Sequence, residues 1–233
     1  MHKPLPAIAI AAGLVASGLT FVSSAQAQAL DATGLQAIDA AVNAVAPKMV
    51  NWRRDIHAHP ELSGQEVRTA KLVAEHLKKL GMEVQTGVGG TGVVGTLKGG
   101  LPGKVVALRA DMDALPVLEN TGLPFASKAK ATYLGKEVPV MHACGHDAHT
   151  AMLMGAAEVL AGMKAQLPGT VKFIFQPAEE GAPVEADANG KVPSFGAKAM
   201  IEAGALKDVQ AIYGLHITSN LPGGVVGYRS GPM

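Results

Sequence analysis

The segment Met-His-Ala-Cys-Gly-His-Asp-Ala-His-Thr, residues 141–150, holds three of the chain's eight histidines and its only cysteine. Cys144 and His146 are two apart with Gly145 between them, so in an extended or turn segment their side chains project to the same side. Thiolate and imidazole together suit zinc and similar divalent ions. The same residues also serve as structural or outer groups around a site, and a lone cysteine is often only a small buried hydrophobe.

Further along, Glu179 and Glu180 follow an apolar run. Adjacent carboxylates at such a place repel unless a cation compensates them, and because neighbours point in different directions one can ligate while the other faces an attacking water. The competing reading is a solvated pair in the first turn of a helix. His216, in Ala-Ile-Tyr-Gly-Leu-His-Ile, is either a satisfied core histidine or, with Cys144, His146 and Glu180, the last member of a sulfur, nitrogen and oxygen ligand set. Asp111 and Asp113 share a face if their strand persists. Asp111 then stands near the metals and Asp113 orients a ligand histidine, or Asp113 caps the next segment.

These groups need elements to carry them. Residues 32–62 read as an amphipathic helix interrupted at Pro47 and ending near Pro60, and residues 63–81 as a second helix stopped by Gly81. Strand-like pieces follow at 82–88, 92–99 and 104–113. Then come a helix at 148–164, a strand at 170–177, a helix at 196–206 and a strand at 209–217. Apolar strands alternating with helices predict an α/β fold, a mostly parallel sheet covered by helices on both faces. Three strands end in ionisable residues, and in open α/β sheets ligands bind outside the carboxyl ends of the strands. Residues 181–196 read as a surface loop.

Composition narrows the partners. Lys plus Arg number 20 against 19 Asp plus Glu, with no run of five like charges, so neither a nucleic-acid footprint nor a polybasic membrane tail is visible. One cysteine cannot form an internal disulfide. Residues 1–29 have the layout of a secretory signal peptide, with cleavage after Ala27 or Ala29 and export to a compartment such as the bacterial periplasm; an uncleaved membrane anchor is the alternative.

The ordered motifs "RRDIHAHPELSGQE", "ALRADMDALPVLE", "MHACGHDAHTAMLMGAAEVL", "FIFQPAEEG" and "IYGLHI" closely resemble the metal-dependent amidohydrolase branch of the zinc-carboxypeptidase-like metallopeptidases, from about Val50 onward. That branch includes hippurate, N-acyl-amino-acid and indoleacetyl-amino-acid hydrolases. The resemblance implies an αβα catalytic sandwich with two divalent ions, zinc, manganese or cobalt, held by Cys144, His146, Glu180 and His216. It also implies Glu179 as general base and an N-acyl amino acid or short peptide-like substrate. His142 and His149 become outer or substrate-facing groups, and His57 and His59 structural ones. In that family a smaller dimerisation or lid domain interrupts the catalytic domain, which then supplies a further ligand histidine. Here the sequence stops at "GYRSGPM", so the expectation is that residues 30–233 are the N-terminal part of the catalytic domain, with exposed apolar surface and a homodimer only in a full-length form.

Two rival readings stand beside hydrolysis by a metal-activated water. One makes Cys144 a nucleophile activated by His142 or His149. The other is an inactive truncated protein that binds metal or substrate without turnover.

Overall fold

The computed structural model describes residues 32–182 and 188–228. The proposed leader therefore lies outside the described residues, as does part of the loop after Glu180. No helix among the described residues is long and apolar enough to cross a membrane.

The elements run α1 (Ala32–Ala58), α2 (Val67–Lys79), β1 (Glu83–Val88), β2 (Gly92–Lys98), β3 (Leu101–Asp111), β4 (Lys130–Tyr133), β5 (Lys136–Pro139), α3 (His146–Gly162), a short 3-10 turn, β6 (Pro168–Gln176), α4 (Gly196–Glu202) and β7 (Ala211–Gly214). The main sheet has the order β1-β2-β6-β3-β7. The expected parallel arrangement is confined to β6, β3 and β7; β1 and β2 join antiparallel, so the sheet is mixed. That is how short connections can link β1 to β2, whereas β3 reaches β6 and β7 only through helices.

Alternation along β6 shows why both faces are covered. Phe173 and Phe175 face a cluster with Val73 and Leu77 of α2 and Met154 of α3, while Ile174 faces Met200 of α4 and Ala205 on the other side. Fully burying residues of this size contributes about 2 kcal/mol each. Gly155 lets α1 approach α3, since a Cβ there would collide with the Met49 side chain.

Four local expectations change. α1 runs unbroken through Pro47. Pro47 lies on its exposed side, where water can satisfy the carbonyl whose partner the ring removes. α2 begins at Val67 rather than Ser63, because Gly64 turns with a positive φ of 79° and Glu66 is buried instead of continuing a helical face. The β4–β5 hairpin was not expected. Its two-residue turn is Leu134–Gly135, both with positive φ, and leucine there hides the usual Asn-Gly signal. Finally, β7 stops at Gly214, short of His216, and it is an edge strand with Ile212 and Tyr213 exposed.

Candidate metal centre

Three chain segments deliver the site. β3 ends at Asp111 and the chain turns through Asp113; β6 ends at Gln176 and turns into Glu179 and Glu180; β7 ends just before His216. The decapeptide joins them because Met141 pairs with Leu115 through two main-chain hydrogen bonds, 3.0 Å each, just past the Asp113 turn. Gly145 then precedes α3 with a φ of 122°, so His146 opens the helix and His149 lies one turn on.

His146 is at the centre. It is fully buried, and its Nδ1 lies 2.7 Å from the main-chain carbonyl of Asp113. A carbonyl only accepts, so Nδ1 carries a proton and, in the neutral ring, Nε2 presents a bare lone pair. Nε2 has no hydrogen-bond partner, and the nearest groups are Asp111 Oδ1 at 3.6 Å, Glu179 Oε2 at 3.7 Å and Glu180 Oε1 at 3.8 Å. Burial alone would lower the His146 pKa, but the hydrogen bond to Asp113 and the charges of Asp111 and Asp113 outweigh it and raise the value. The surroundings favour a positive charge at this point, whether a proton or a cation.

Cys144, His146 and His216 place one ligand atom each within 4.8 Å of one another, and so do His146, Glu179 and Glu180. Cys144 Sγ lies 3.5 Å from His216 Nε2. Burial, then Glu180, Asp111 and Glu179, push the Cys144 thiol up to about 12. These donors fit a divalent ion of the zinc class: in the neutral ring the Nε2 lone pair of His146 is unpartnered, and a cation there would offset the neighbouring acids and favour the thiolate.

Asp113 lies beyond the strand rather than in it, yet it is buried and central. Its carboxylate accepts from Ser63 Oγ at 2.6 Å and from the Glu179 and Glu180 amides at 3.0 Å, and it lies 3.3 Å from His146 Nδ1. Burial opposes its ionisation, but the bonds from His146, Ser63 and the two amides hold its pKa at about 2. Asp113 therefore caps the glutamate turn, not the segment that follows it in sequence. Asp111 lies between His149 Nδ1 at 2.7 Å and Arg109 at 2.6 Å.

The other histidines separate by environment. His142 is buried with both ring nitrogens unpartnered, and burial lowers its pKa to about 4. His57 is clamped between Asp147 at 2.9 Å and Glu119 at 3.1 Å. His59 is exposed and folds back on the Asp55 carbonyl at 2.8 Å.

A family model for peptidase family M20/M25/M40 matches residues 107–231, more than half of the chain, and takes in Cys144, His146, Glu179, Glu180 and His216. The chain belongs to this peptidase family. It is 51% identical over 186 residues to thermostable carboxypeptidase 1 of Saccharolobus solfataricus, covering 79% of this chain and 43% of that protein. Identity is 46% over 187 residues to the N-acetylcysteine deacetylase of Bacillus subtilis, covering 80% and 44%. A solved M20-family structure from Bacillus subtilis, a dinuclear metal-binding peptidase, is 44% identical with a TM-score of 0.68, covering 82% of this chain and 48% of its own. The chain thus spans less than half the length of these M20 relatives.

One residue that matters to this M20 centre escaped the sequence. Glu66 is fully buried, and its Oε1 accepts from the Gly64 and Ala178 amides, 2.8 Å each, while Oε2 meets the Thr91 hydroxyl. Ala178 precedes the glutamate pair with a φ of 49°, a conformation costly outside glycine, and Glu66 helps hold it there. Ser63 and Glu66 have the spacing of a helix capping box, so in sequence they signal only a helix start.

Proposed function

We propose that the chain carries the amide-hydrolysing centre of an N-acyl-amino-acid hydrolase. The observation that carries this reading is the buried, unpartnered Nε2 of His146, facing three carboxylates beside a cysteine. Cys144, His146, Glu180 and His216 would hold the metal, and two ions are proposed because a solved relative binds two. When bound, such ions polarise the scissile carbonyl and acidify water. Zinc, manganese and cobalt all suit the mixed donor set.

The chain's own residues do the rest. Glu179, whose side chain is 38% exposed and brings Oε2 to 3.7 Å from His146 Nε2, is proposed to take a proton from the attacking water. The water oxygen bonds to the carbonyl carbon, the carbon–nitrogen bond breaks, and Glu179 returns the proton to the departing amine. Asp113 fixes the main chain of both glutamates, and both carboxylates reach the same nitrogen, His146 Nε2, at 3.7 and 3.8 Å, so base and ligand stand side by side.

N-acyl amino acids or short peptide-like molecules are the proposed substrates, in keeping with relatives such as the N-acyl-L-amino acid amidohydrolase of Geobacillus stearothermophilus, 42% identical over 192 residues. Residues 30–233 are proposed as the N-terminal part of the catalytic domain, exported behind residues 1–29, with homodimerisation belonging to a longer form. A Cys144 nucleophile fits less well: its thiol is pushed up to about 12, and the histidines grouped with it are His146 and His216 rather than His142 or His149.

The test pairs metal analysis with hydrolysis of a panel of N-acyl amino acids, on this chain and on a version extended to the relatives' length. Glu179→Gln should keep metal and lose turnover by at least about 100-fold. Unchanged turnover in that variant would refute the base assignment. Metal bound by a longer form that hydrolyses nothing would favour a binding protein.

A further inference from the structure

The β3–β7 ladder ends at the Arg109–Gly214 pair, so His216, two residues later, has no strand to orient it. The tie back to α3 is a hydrogen bond from the Ile217 amide to His149 Nε2, 2.8 Å long. A main-chain amide only donates, so His149 Nε2 is the bare nitrogen and Nδ1–H donates to Asp111 Oδ1 at 2.7 Å. Arg109 holds the other Asp111 oxygen at 2.6 Å. Both nitrogens of His149 are therefore committed, although the residue lies within ligand range of Asp111 and His146. Gly145 packs beside this contact: a Cβ there would sit 3.4 Å from Ile217 Cβ and 3.5 Å from His149 Nε2, ordinary contact distances, so it is the φ of 122° that calls for glycine.

We infer that His149 is a positioning residue: through the Ile217 amide it latches the end of β7 onto α3, setting His216 against Cys144 without itself binding the ion. The chain from Arg109 through Asp111 and His149 to Ile217 lets one strand end dictate the placement of a ligand on the next. This rests on the metal-centre reading above and adds a role to a residue that reading leaves idle.

Cadmium titrated into the full chain tests it, followed by the near-ultraviolet charge-transfer absorption of a cadmium thiolate. His149→Asn keeps a donor for Asp111 but is too short to reach Ile217, and should weaken cadmium binding roughly 10-fold or more. His149→Gln places an acceptor near the former Nε2 and should recover most of the affinity. In a His216→Ala background His149→Asn should cost nothing further, because its effect runs through His216. Ile217→Pro removes the donor while leaving the ring intact, and should reproduce the loss if His149→Asn proves poorly folded by circular dichroism. Wild-type affinity in folded His149→Asn, an equal loss in the His216→Ala background, or a Gln variant as weak as Asn would each overturn the latch. In all of those cases the wild-type band is intact. Absence of the wild-type band would instead defeat the metal reading and the latch together.

Discussion

Glu66 offers a sharp test of how the centre is supported from outside. Glu66→Ala removes the acceptor of the buried Ala178 amide and of the Thr91 hydroxyl, while the exposed Gly64 amide can turn to water. An unsatisfied buried donor costs about 1–3 kcal/mol. With the cavity left by the carboxyl group, the expected loss is about 3 kcal/mol. Glu66→Gln behaves differently, because both amides bond to one oxygen, which the carboxamide retains, and Thr91 can rotate its hydroxyl to accept from the new amino group. That variant should stay within about 1 kcal/mol of wild type. The sign with pH also differs. Burial raises the Glu66 pKa above 4.5 despite the bonds from Thr91 and the two amides. The folded state therefore binds this proton more tightly, and the associated stability is complete below 4.5 and lost as pH rises through the folded value. Gln cannot titrate, so Glu66→Gln should gain on wild type between pH 4.5 and neutrality. Urea unfolding across that range measures all three proteins. An Ala variant within about 0.5 kcal/mol of wild type, or a Gln variant as damaged as Ala, would refute the account.

Other outcomes follow from geometry already described. The His57 pKa is raised chiefly by its hydrogen bond to Asp147, against burial and with help from Glu119, so its share of stability is full below 6.5 and fades at higher pH. His57→Gln should therefore destabilise more at pH 6 than at pH 8.5 in urea titrations. Gly145→Ala forces a side chain into a φ of 122°, and should cost about 1–3 kcal/mol in thermal unfolding. Exposed Ile212 and Tyr213 on the β7 edge should drive concentration-dependent self-association, visible by sedimentation and reduced in Ile212→Lys.

The elements were legible where periodicity was strong. β2, β6 and α3 fall close to their expected spans because their residues are apolar on both faces or at helical spacing. The candidate site residues stood out for another reason: Cys144, His146, Glu179, Glu180 and His216 are chemically conspicuous, and the structure brings them into two groups that share His146. What stayed hidden were roles set by long-range contacts. Asp113 looks like a strand or cap residue until the Glu179–Glu180 turn folds onto it. Glu66 looks like the end of a capping box until Ala178 reaches it across 112 positions. The mixed sheet was hidden too, because local hydrophobicity does not encode strand direction.

β7 is four residues long and paired on one side only. A slip of one residue against β3 would reverse every side chain along it, carrying His216 away from Cys144 and breaking the bond from Ile217. The register of β7 and the placement of His216 are thus the same variable in this protein. Because β7 lies far along the chain from β3, that variable is fixed only when this non-local pairing closes. A refolding experiment that follows the environment of Cys144 would therefore report the docking of the last strand.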